Sequence, residues 1–305
     1  MMPRRGGLLE RICREQWNVG VIRQRAADIV QNGITEPVHW LPSLRSWFGW
    51  ADPGVYVVQD RVQVFVERLN WLTGRGQIWS GRLQDTHLVF DPWVTSPLHL
   101  SYPFPLRVHD SLYFTMETHE ASALYIWEKT ATSWIQHKIL DRPAVDPTIW
   151  YDDHGWWLFC TFADDQPNRN LHLFFADRIE GTWVPHPKNP VKTDPGSSRP
   201  AGPLFRANGR LVRPGQDCTQ TYGGALVLNA ITELSRTGFR ERPIRRLNPL
   251  HDYPDGLHTL CPAGEVTLID GKRWVFHPLD LLRYPIAAVS KQYRRTMARA
   301  KFVFK

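Results

Sequence analysis

Short apolar runs separated by polar turns recur five times along the chain. The first copy opens with Ala51-Asp52-Pro53 and the second with Ser101-Tyr102-Pro103. In both copies a turn aspartate follows the proline by 7 residues and a glutamate follows it by 14, with an apolar run on each side of the turn. Each copy therefore predicts a strand, a tight turn and a second strand.

Three further copies complete the series. The third begins at Val145-Asp146-Pro147 and turns at Asp153-His154-Gly155, and the fourth begins at Ala201-Gly202-Pro203 and turns at Asn208-Gly209. The fifth is looser, with its turn expected at Asp270-Gly271. The copies begin near positions 51, 101, 145, 201 and 258, a spacing of 44 to 57 residues that suits four-stranded blades arranged around an axis. The pattern predicts an all-β protein with the fold of a five-bladed β-propeller.

The segments outside the repeats complete this architecture. We expect residues 1–45 to form a short N-terminal extension, with a helix at 8–12 and a strand at 17–22 that can close the ring by pairing with the last blade. We expect residues 46–280 to form the propeller. Residues 281–305 lose the period of two and are expected to form a basic tail or helix.

Composition supports one compact unit of 305 residues, because a single blade cannot bury both of its faces without neighbours. Fourteen Trp and fourteen Phe supply large side chains for the spaces between blades. The net charge is +7, with much of the positive charge near the termini. We interpret that charge mainly as solvated tails, and a polyanion or membrane-surface role is the alternative.

Several other classes of protein receive no support. The four cysteines have no C-x-x-C spacing, so neither a zinc site nor a disulfide framework is expected, and no other metal or cofactor is predicted. The N-terminus lacks the apolar core of a signal peptide, and no run approaches the ~18 apolar residues of a membrane span. We therefore expect a soluble, cytoplasmic protein.

Candidate site residues follow from the geometry of a propeller, whose innermost strands all begin at one mouth of the central funnel. The repeat places five polar residues near these starts: Asp52, Tyr102, Asp146, Arg199 and His258. Two carboxylates in one funnel push their pKa values apart, as acid/base catalysis requires. Because Asp-Pro also commonly starts a turn, a purely structural role for each aspartate remains the alternative.

Further candidates lie at related positions. Glu67 and Glu117 end the second strand at identical phase and either cap a loop or face the funnel, while His99 is a ligand contact or a structural histidine. A polar, non-periodic segment supplies the remaining substrate-binding candidates: Arg213, Gln216, Asp217 and Tyr222. Its arginine, with Arg199, can bind a carboxylate or phosphate, and a turn network is the alternative. Trp47 and Trp50 are blade core or a stacking platform for a sugar.

These motifs resemble a known family. The matching stretches are Trp17-Asn18-Val19-Gly20, Ala51-Asp52-Pro53, Glu67, His99-Leu100-Ser101-Tyr102-Pro103, Met116-Glu117, Arg199-Pro200, Arg213-Pro214-Gly215-Gln216-Asp217-Cys218 and Tyr222-Gly223. They resemble the N-terminal domain of plant glucosamine inositolphosphorylceramide transferases and its bacterial relatives, from about residue 15 to about residue 280. The resemblance implies a five-bladed propeller, similar in turn to glycoside hydrolases of the family 43 and family 32 type.

The resemblance also implies roles for particular residues. Asp52 matches the blade-one base or nucleophile of those hydrolases, and Asp146 matches the acid that tunes pKa values and holds substrate. Their general acid, in a Glu-Gly-Pro motif, falls on Ala201, so another carboxylate has to replace it. The candidates are Glu117, our first choice, then Glu67 and Asp217. The plant proteins continue into a separate glycosyltransferase domain, whereas this chain ends soon after blade five, so that activity is not carried over.

The sequence thus predicts a glycan- or glycoconjugate-active enzyme that cleaves or transfers a glycosyl group, with Asp52, Glu117 and Asp146 as catalytic residues. The expected partner is a carbohydrate or sugar phosphate and not a nucleic acid. The arginines favour an anionic ligand. One alternative is a non-catalytic carbohydrate-binding or scaffold propeller. The other is a non-hydrolytic enzyme of sugar-containing natural-product or surface-polysaccharide biosynthesis. The oligomeric state is left open.

Overall fold

The computed structural model describes residues 13–42, 47–58, 61–108, 111–121 and 123–276, and within the tail residues 286, 288–290, 292 and 302–304. The helix predicted at 8–12, the turn aspartates Asp60 and Asp110 and most of the basic tail lie outside the described residues. No helix within the described part of the chain is long and apolar enough to cross a membrane.

The regular secondary structure of the described residues consists almost entirely of strands. In chain order they are β1 (Cys13–Ile22), α1 (Ala26–Asn32), β2 (Val38–Trp40), β3 (Phe48–Val58), β4 (Arg61–Asn70), β5 (Arg75–Gln84), β6 (His87–Thr95), β7 (Ser101–Val108), β8 (Ser111–Glu117), β9 (Leu124–Lys129), β10 (Trp134–Leu140), β11 (Val145–Asp152), β12 (Gly155–Thr161), β13 (Asn170–Ala176), β14 (Val184–Pro185), β15 (Lys192–Thr193), β16 (Phe205–Ala207), β17 (Arg210–Asp217), β18 (Ala225–Leu234), β19 (Phe239–Leu247), β20 (Leu260–Ala263), β21 (Val266–Phe276) and β22 (Val303–Phe304).

These strands form five antiparallel sheets, which confirms the predicted five-bladed propeller. Blades one to four are β3–β6, β7–β10, β11–β14 and β16–β19; β22 adds to the outer edge of blade one, and β15 pairs with β13. Blade five has the order β2-β1-β21-β20, so its inner strands come from the end of the chain and its outer strands from the beginning. The segment that we set apart as an N-terminal extension thus supplies half of a blade.

Among the described residues, the blade turns follow the sequence in the third and fourth copies of the repeat and depart from it in the fifth. Asn208 and Gly209 both have positive φ, 51° and 73°, as a two-residue hairpin turn requires. In blade five the chain turns at Gly264 and Glu265. Asp270, which we expected in that turn, lies inside β21 and is fully buried.

The innermost strand of blades one, two and three carries a bulge beside the funnel. The residue before the repeat proline has a left-handed φ in blades one to three: 51° at Asp52, 47° at Tyr102 and 49° at Asp146. The pairing register shifts at the same three places. Such a conformation costs about 1–3 kcal/mol in a residue other than glycine, and bulges commonly re-aim a side chain beside a functional site. The repeated motif therefore sets the direction of the side chain that precedes the proline.

Aromatic side chains fill the spaces between blades, as the composition indicates. Phe65 of blade one packs on Phe114 of blade two with ring centroids 5.2 Å apart. Phe159 and Phe239 make the same kind of contact between blades three and four, at 5.8 Å. Trp50 lies in this core too, against Trp79 and Phe90, and so does not offer a free face to a sugar.

Candidate functional site

A cavity of about 200 Å³ opens where the innermost strands begin. Four of its wall residues are acids proposed from the sequence: Asp52, Glu67, Glu117 and Asp146. Four more are the other candidates that reach it: His99, Arg199, Tyr222 and His258. The remainder of the wall is Glu15, Trp17, Ala51, Leu69, Trp71 and Ser101. The structure thus brings eight of the twelve proposed site residues to one cavity.

Hydrogen bonds between blades fix the carboxylates around this cavity. Each backbone N–H of a bulge residue is accepted by a carboxylate of the preceding blade. Asp270 Oδ2 accepts from Asp52 N at 3.1 Å, Asp52 Oδ2 from Tyr102 N at 3.3 Å, and Glu117 Oε2 from Asp146 N at 3.3 Å. In Asp52 and in Glu117, the second carboxyl oxygen is left for other partners.

The imidazole of His258 lies beside the carboxyl of Asp52. Asp52 Oδ1 accepts a hydrogen bond from Thr259 Oγ1 at 3.1 Å and lies 3.7 Å from His258 Nε2. The other ring nitrogen, Nδ1, is 2.6 Å from Asp270 Oδ2, and Trp17 stacks on the ring at 3.8 Å between centroids. Burial raises the pKa of Asp52, against the opposing charge of His258. Burial alone would lower the pKa of His258, but Asp270 and Asp52 raise it above its usual value.

Asp52, His258 and Asp270 present ligand-type atoms within 4.8 Å of one another. A metal needs free lone pairs on those atoms, and Asp270 has none to offer. Its two oxygens already accept from the backbone N–H groups of His258, Thr259 and Asp52 and from the imidazole. Four accepted bonds exhaust an ionised carboxylate. Asp270 therefore holds the imidazole of His258 beside Asp52, 3.7 Å from its carboxyl, and the group does not fit a metal.

Asp146 and Glu117 face the same cavity in opposite electrostatic environments. Asp146 Oδ2 accepts from Arg199 Nε at 2.7 Å and from Gln216 Nε2 at 3.0 Å. Burial nevertheless raises the pKa of Asp146 to about 7, with Arg199 opposing and the charge of Glu117 contributing. Burial would also raise the pKa of Glu117, but a hydrogen bond from His119 at 3.0 Å, together with the charges of His119 and Arg199, lowers it to about 2.

Glu67 and His99 form the blade-one side of the cavity. His99 Nδ1 accepts from Gly76 N at 2.9 Å, so Nε2 carries the proton of the neutral ring and points at Glu67 Oε1, 3.7 Å away. Burial lowers the pKa of His99 to about 4. Burial also raises the pKa of Glu67 well above its ordinary value, and the neighbouring carboxylates add to the rise. Both effects favour the protonated form of Glu67.

Four proposed residues lie behind or away from the cavity wall. Gln216 supports Asp146 from behind, and the hydroxyl of Tyr102 is buried between Thr148 and the backbone N–H of Gly202, at 2.7 Å from each. Asp217 pairs with Arg246 instead of joining the other acids.

Arg213, the fourth of these residues, is completely buried. It pairs with Glu241 at 2.6 Å and donates to the backbone carbonyls of Ser197 and Ser198, just before Arg199. Its guanidinium therefore stabilises the loop that carries Arg199, and it does not reach the cavity.

Sequence reasoning missed several residues that shape the site. The sequence predicts a turn at Asp270, and His119 follows Glu117 by two positions without any periodic signal. Trp17 lies on the predicted ring-closing strand, whose pairing with β21 carries it to the cavity. Trp71 follows directly after β4. The one sequence signal for Trp71 is its place four residues after the repeat glutamate Glu67, whereas Asp270 required the register of blade five.

Solved structures share this fold. Zg3597, a family 117 glycoside hydrolase from the marine bacterium Zobellia galactanivorans, superimposes with a TM-score of 0.51 at 10% identity, over 74% of this chain and 85% of that one. An exo-β-1,3-galactanase from Clostridium thermocellum also gives a TM-score of 0.51 at 10% identity, over 69% of this chain and 54% of that one. At such low identity the similarity shows the architecture alone.

Sequence relatives are closer. Glucosamine inositolphosphorylceramide transferase 1 of Oryza sativa subsp. japonica is 31% identical over 245 residues, 73% of this chain and 33% of the rice protein. The Arabidopsis thaliana protein of the same name is 31% identical over 202 residues, 63% of this chain and 26% of that protein. The chain thus spans a third or less of the relatives' length. The family model described as glucosamine inositolphosphorylceramide transferase 1, N-terminal, matches residues 29–248. The chain therefore belongs to the glucosamine inositolphosphorylceramide transferase 1 N-terminal family.

Proposed function

We propose that this propeller acts on a glycan or glycoconjugate and cleaves or transfers a glycosyl group with the carboxyls of its central cavity. One observation carries the proposal: two buried carboxyls on the same wall lie in opposite environments, which lower the pKa of Glu117 to about 2 beside His119 and raise the pKa of Asp146 to about 7. Environments that separate the pKa values of neighbouring acids are the mark of acid/base catalysis.

The same values change one role expected from the sequence. Glu117 was our first choice as general acid, but a carboxyl with a pKa of about 2 has no proton to donate near neutral pH. Asp146 holds its proton up to about pH 7 and is oriented by Arg199 and Gln216. In the proposed mechanism Asp146 protonates the leaving oxygen, and the ionised Glu117 supports the proton on Asp146 electrostatically.

Asp52 completes the proposed reaction as base or nucleophile. Its Oδ2 is held by the N–H of Tyr102, and its Oδ1 lies beside His258 and Thr259. As a base, Asp52 takes a proton from water or from an acceptor hydroxyl while Asp146 gives one to the leaving group, so the two carboxyls exchange protonation states in one turnover. The names of the relatives and of the structural neighbours describe chemistry at sugars, which supports the proposed substrate class.

A panel of aryl furanosides and pyranosides, each with and without an alcohol acceptor, tests the proposal. We expect turnover of at least one substrate, with a loss of ~10²–10⁴-fold in Asp146→Asn. Glu117→Gln should mainly shift the pH dependence, because it removes the charge that raises the pKa of Asp146. Full activity in Asp146→Asn together with its loss in Glu117→Gln would restore Glu117 as the acid.

A second candidate function rests on Ala201, which is fully buried in apolar packing where related hydrolases carry an acid. A non-catalytic carbohydrate-binding propeller fits that observation. Equilibrium binding of the same sugars separates the two functions. If the wild type turns over none of them while Asp52→Asn and Asp146→Asn bind sugar as well as the wild type does, the binding module is correct.

A further inference from the structure

A second, larger cavity lies where the innermost strands of blades two and three end, at the opposite mouth of the propeller. Its volume is about 760 Å³, and we call it the distal cavity. Strand β11 runs from Asp146 on the wall of the central cavity to Tyr151 on the wall of this one. The rise of a strand puts these two residues roughly 15 Å apart. Cavities that bind small ligands commonly have volumes of about 300–1,000 Å³, so the distal cavity is large enough to be a binding site.

Two aromatic rings form one wall of the distal cavity. Tyr151 and Trp156 lie directly opposite each other in the pairing of β11 with β12, with ring centroids 4.5 Å apart. Trp156 is 6% exposed and packs into the hydrophobic core, whereas Tyr151 is 56% exposed. The buried tryptophan therefore holds the tyrosine ring in place while much of that ring stays open. A fixed, exposed aromatic ring is a surface on which the C–H face of a sugar ring can stack.

The charged side chains around the distal cavity balance one another. Two are arginines, Arg107 and Arg178, and two are acids, Asp177 and Glu180. Glu180 accepts a hydrogen bond from the hydroxyl of Tyr113 and lies 3.9 Å from Arg178 Nη2. Equal numbers of positive and negative groups favour neither an anion nor a cation. They do favour a neutral ligand with many hydroxyls, because a hydroxyl can accept from a guanidinium and donate to a carboxylate.

An alkyl chain is the alternative occupant, because part of the wall is apolar. Phe104, Ile149 and Leu204 are buried residues that border the cavity. An alkyl chain would cover these side chains, but it would also take Ser111 and the charged groups out of water without offering them a hydrogen bond, which is costly. A sugar ring suits both kinds of surface, since it has C–H groups on its faces and hydroxyls along its edge.

We propose that the distal cavity binds a neutral glycan, with one sugar ring stacked on Tyr151 and its hydroxyls bonded to Arg178 and Glu180. A glycan bound here is roughly 15 Å from Asp146, by the rise of β11, so it takes no part in bond cleavage. The site instead attaches the propeller to a polymer or glycoconjugate through the face opposite the central carboxyls. This binding does not depend on the chemistry proposed for the central cavity.

An NMR titration that observes the two cavities separately tests the proposal. The indole N–H signal of Trp150 reports on the distal cavity and that of Trp71 on the central cavity, and the variants Trp150→Phe and Trp71→Phe assign the two signals. The neutral probes are cellotetraose, xylotetraose and mannotetraose, and the charged probe is tetragalacturonate. We expect at least one neutral probe to shift the Trp150 signal saturably and to bind there more tightly than tetragalacturonate does.

Two substitutions of Tyr151 locate the effect. Tyr151→Ala removes the ring on which the sugar stacks, so the affinity read from the Trp150 signal should fall ~10-fold or more. Tyr151→Phe keeps the ring and should bind within about 3-fold of the wild type. Phe276→Ala is the matched control, because it truncates an aromatic residue that is 60% exposed and borders neither cavity, and it should leave the affinity unchanged.

Several results would overturn the proposal. These are wild-type affinity in Tyr151→Ala, a Trp150 signal that no neutral probe shifts, and a preference for tetragalacturonate over every neutral probe. Octyl maltoside below its micelle concentration tests the alkyl chain: if it shifts the Trp150 signal and no free sugar does, the cavity binds alkyl chains and not glycans. If a neutral probe shifts the Trp150 signal while the glycoside panel shows no turnover, the distal site is supported and the proposed catalytic function is not.

Discussion

Asp52 Oδ2 accepts a hydrogen bond from the backbone N–H of Tyr102 across the boundary between blades one and two, at 3.3 Å. The bond joins a proposed catalytic carboxyl to the bulge of the next blade. Glu117 makes the equivalent bond to Asp146, and Asp270 makes it to Asp52. The acids of the site thus also connect neighbouring blades, so substitutions there act on stability as well as on chemistry, and the two effects have to be measured together.

Two substitutions of Asp52 separate these roles. Asp52→Asn keeps an oxygen that can accept from Tyr102, so we expect the free energy of unfolding to stay within about 1 kcal/mol of the wild type. Asp52→Ala leaves the N–H of Tyr102 and the hydroxyl of Thr259 without an acceptor and should cost about 1–3 kcal/mol. Both should reduce turnover by ~10²–10⁴-fold. Urea denaturation and the glycoside panel measure the two effects, and wild-type turnover in Asp52→Asn would remove Asp52 from the mechanism.

The pH dependence of turnover follows from the two carboxyls of the proposed mechanism. Activity requires Asp146 protonated, with a pKa of about 7, and Asp52 ionised, with a pKa raised above 3.8. The rate should therefore rise as pH passes through the raised pKa of Asp52, and it should fall near pH 7 as Asp146 loses its proton. The apparent pKa values of this profile belong to the coupled carboxyls together. His119→Gln removes the hydrogen bond that holds down the pKa of Glu117, so the profile should move. An identical profile in that variant would show that Glu117 does not influence the acid.

The blade pattern was predictable because it is local. Asn208-Gly209 specifies its own turn, and the alternation of apolar residues specifies the strands on either side. The turn of blade five was not predictable in this way, because Asp270-Gly271, a strong turn signal in sequence, lies within a long strand paired with β1. Pairing over the full length of β1 outweighs the local preference of two residues.

The site residues could be predicted from the sequence where their place in the repeat fixes the direction of the side chain. Glu67 and Glu117 have identical phase, and the strand registers place them opposite Ala51 and Ser101 at the cavity. The position of Asp217 could not be predicted in this way. Its neighbour Gln216 donates to Asp146, whereas Asp217 pairs with Arg246. The chemical roles of the site residues were harder to predict from the sequence than their positions. The pKa of Glu117 depends on His119 and Arg199, and only the fold brings Arg199 beside it.

Arg199 and Arg213 should respond differently to the same substitution. Arg199→Gln removes the cation beside Asp146, so turnover and sugar affinity should fall, and the fold should remain intact because the side chain borders the cavity. Arg213→Gln leaves Glu241 buried with a weaker partner, beside the carbonyls of Ser197 and Ser198, and should cost about 3–5 kcal/mol of unfolding free energy. Thermal unfolding and turnover of the two variants make the comparison. A stable Arg213→Gln protein with a specific loss of sugar affinity would restore Arg213 as a binding residue.

Glu67 should make the stability of the protein depend on pH. Its folded pKa lies well above 4.5, so between 4.5 and that raised value the folded state holds one more proton than the unfolded state. The free energy of unfolding then falls as pH rises through this window, by up to about 1.4 kcal/mol per pH unit from this residue. Glu67→Gln should lose this part of the slope and become the more stable protein at the upper end of the window. Parallel stability curves for the two proteins would show that Glu67 is ionised in the folded state.

The buried position of Ala201 decides whether the missing acid can simply be restored. Ala201 is fully buried in an apolar cluster with Val212 and Leu260, and its carbonyl accepts from Leu260 N at 2.9 Å. Ala201→Glu would place a carboxyl among these side chains, and the desolvation of a charge costs several kcal/mol. We expect a large loss of unfolding free energy at neutral pH, a smaller loss at about pH 4 where the new carboxyl is protonated, and no gain in turnover.

The control is Ala201→Leu, which adds volume without charge and should cost about 1–3 kcal/mol at every pH, so the pH-dependent difference between the two variants isolates the charge. If Ala201→Glu instead folds with wild-type stability and raises turnover, the position faces the substrate. The general acid of this propeller would then belong on blade four, and the assignment of that role to Asp146 would be wrong.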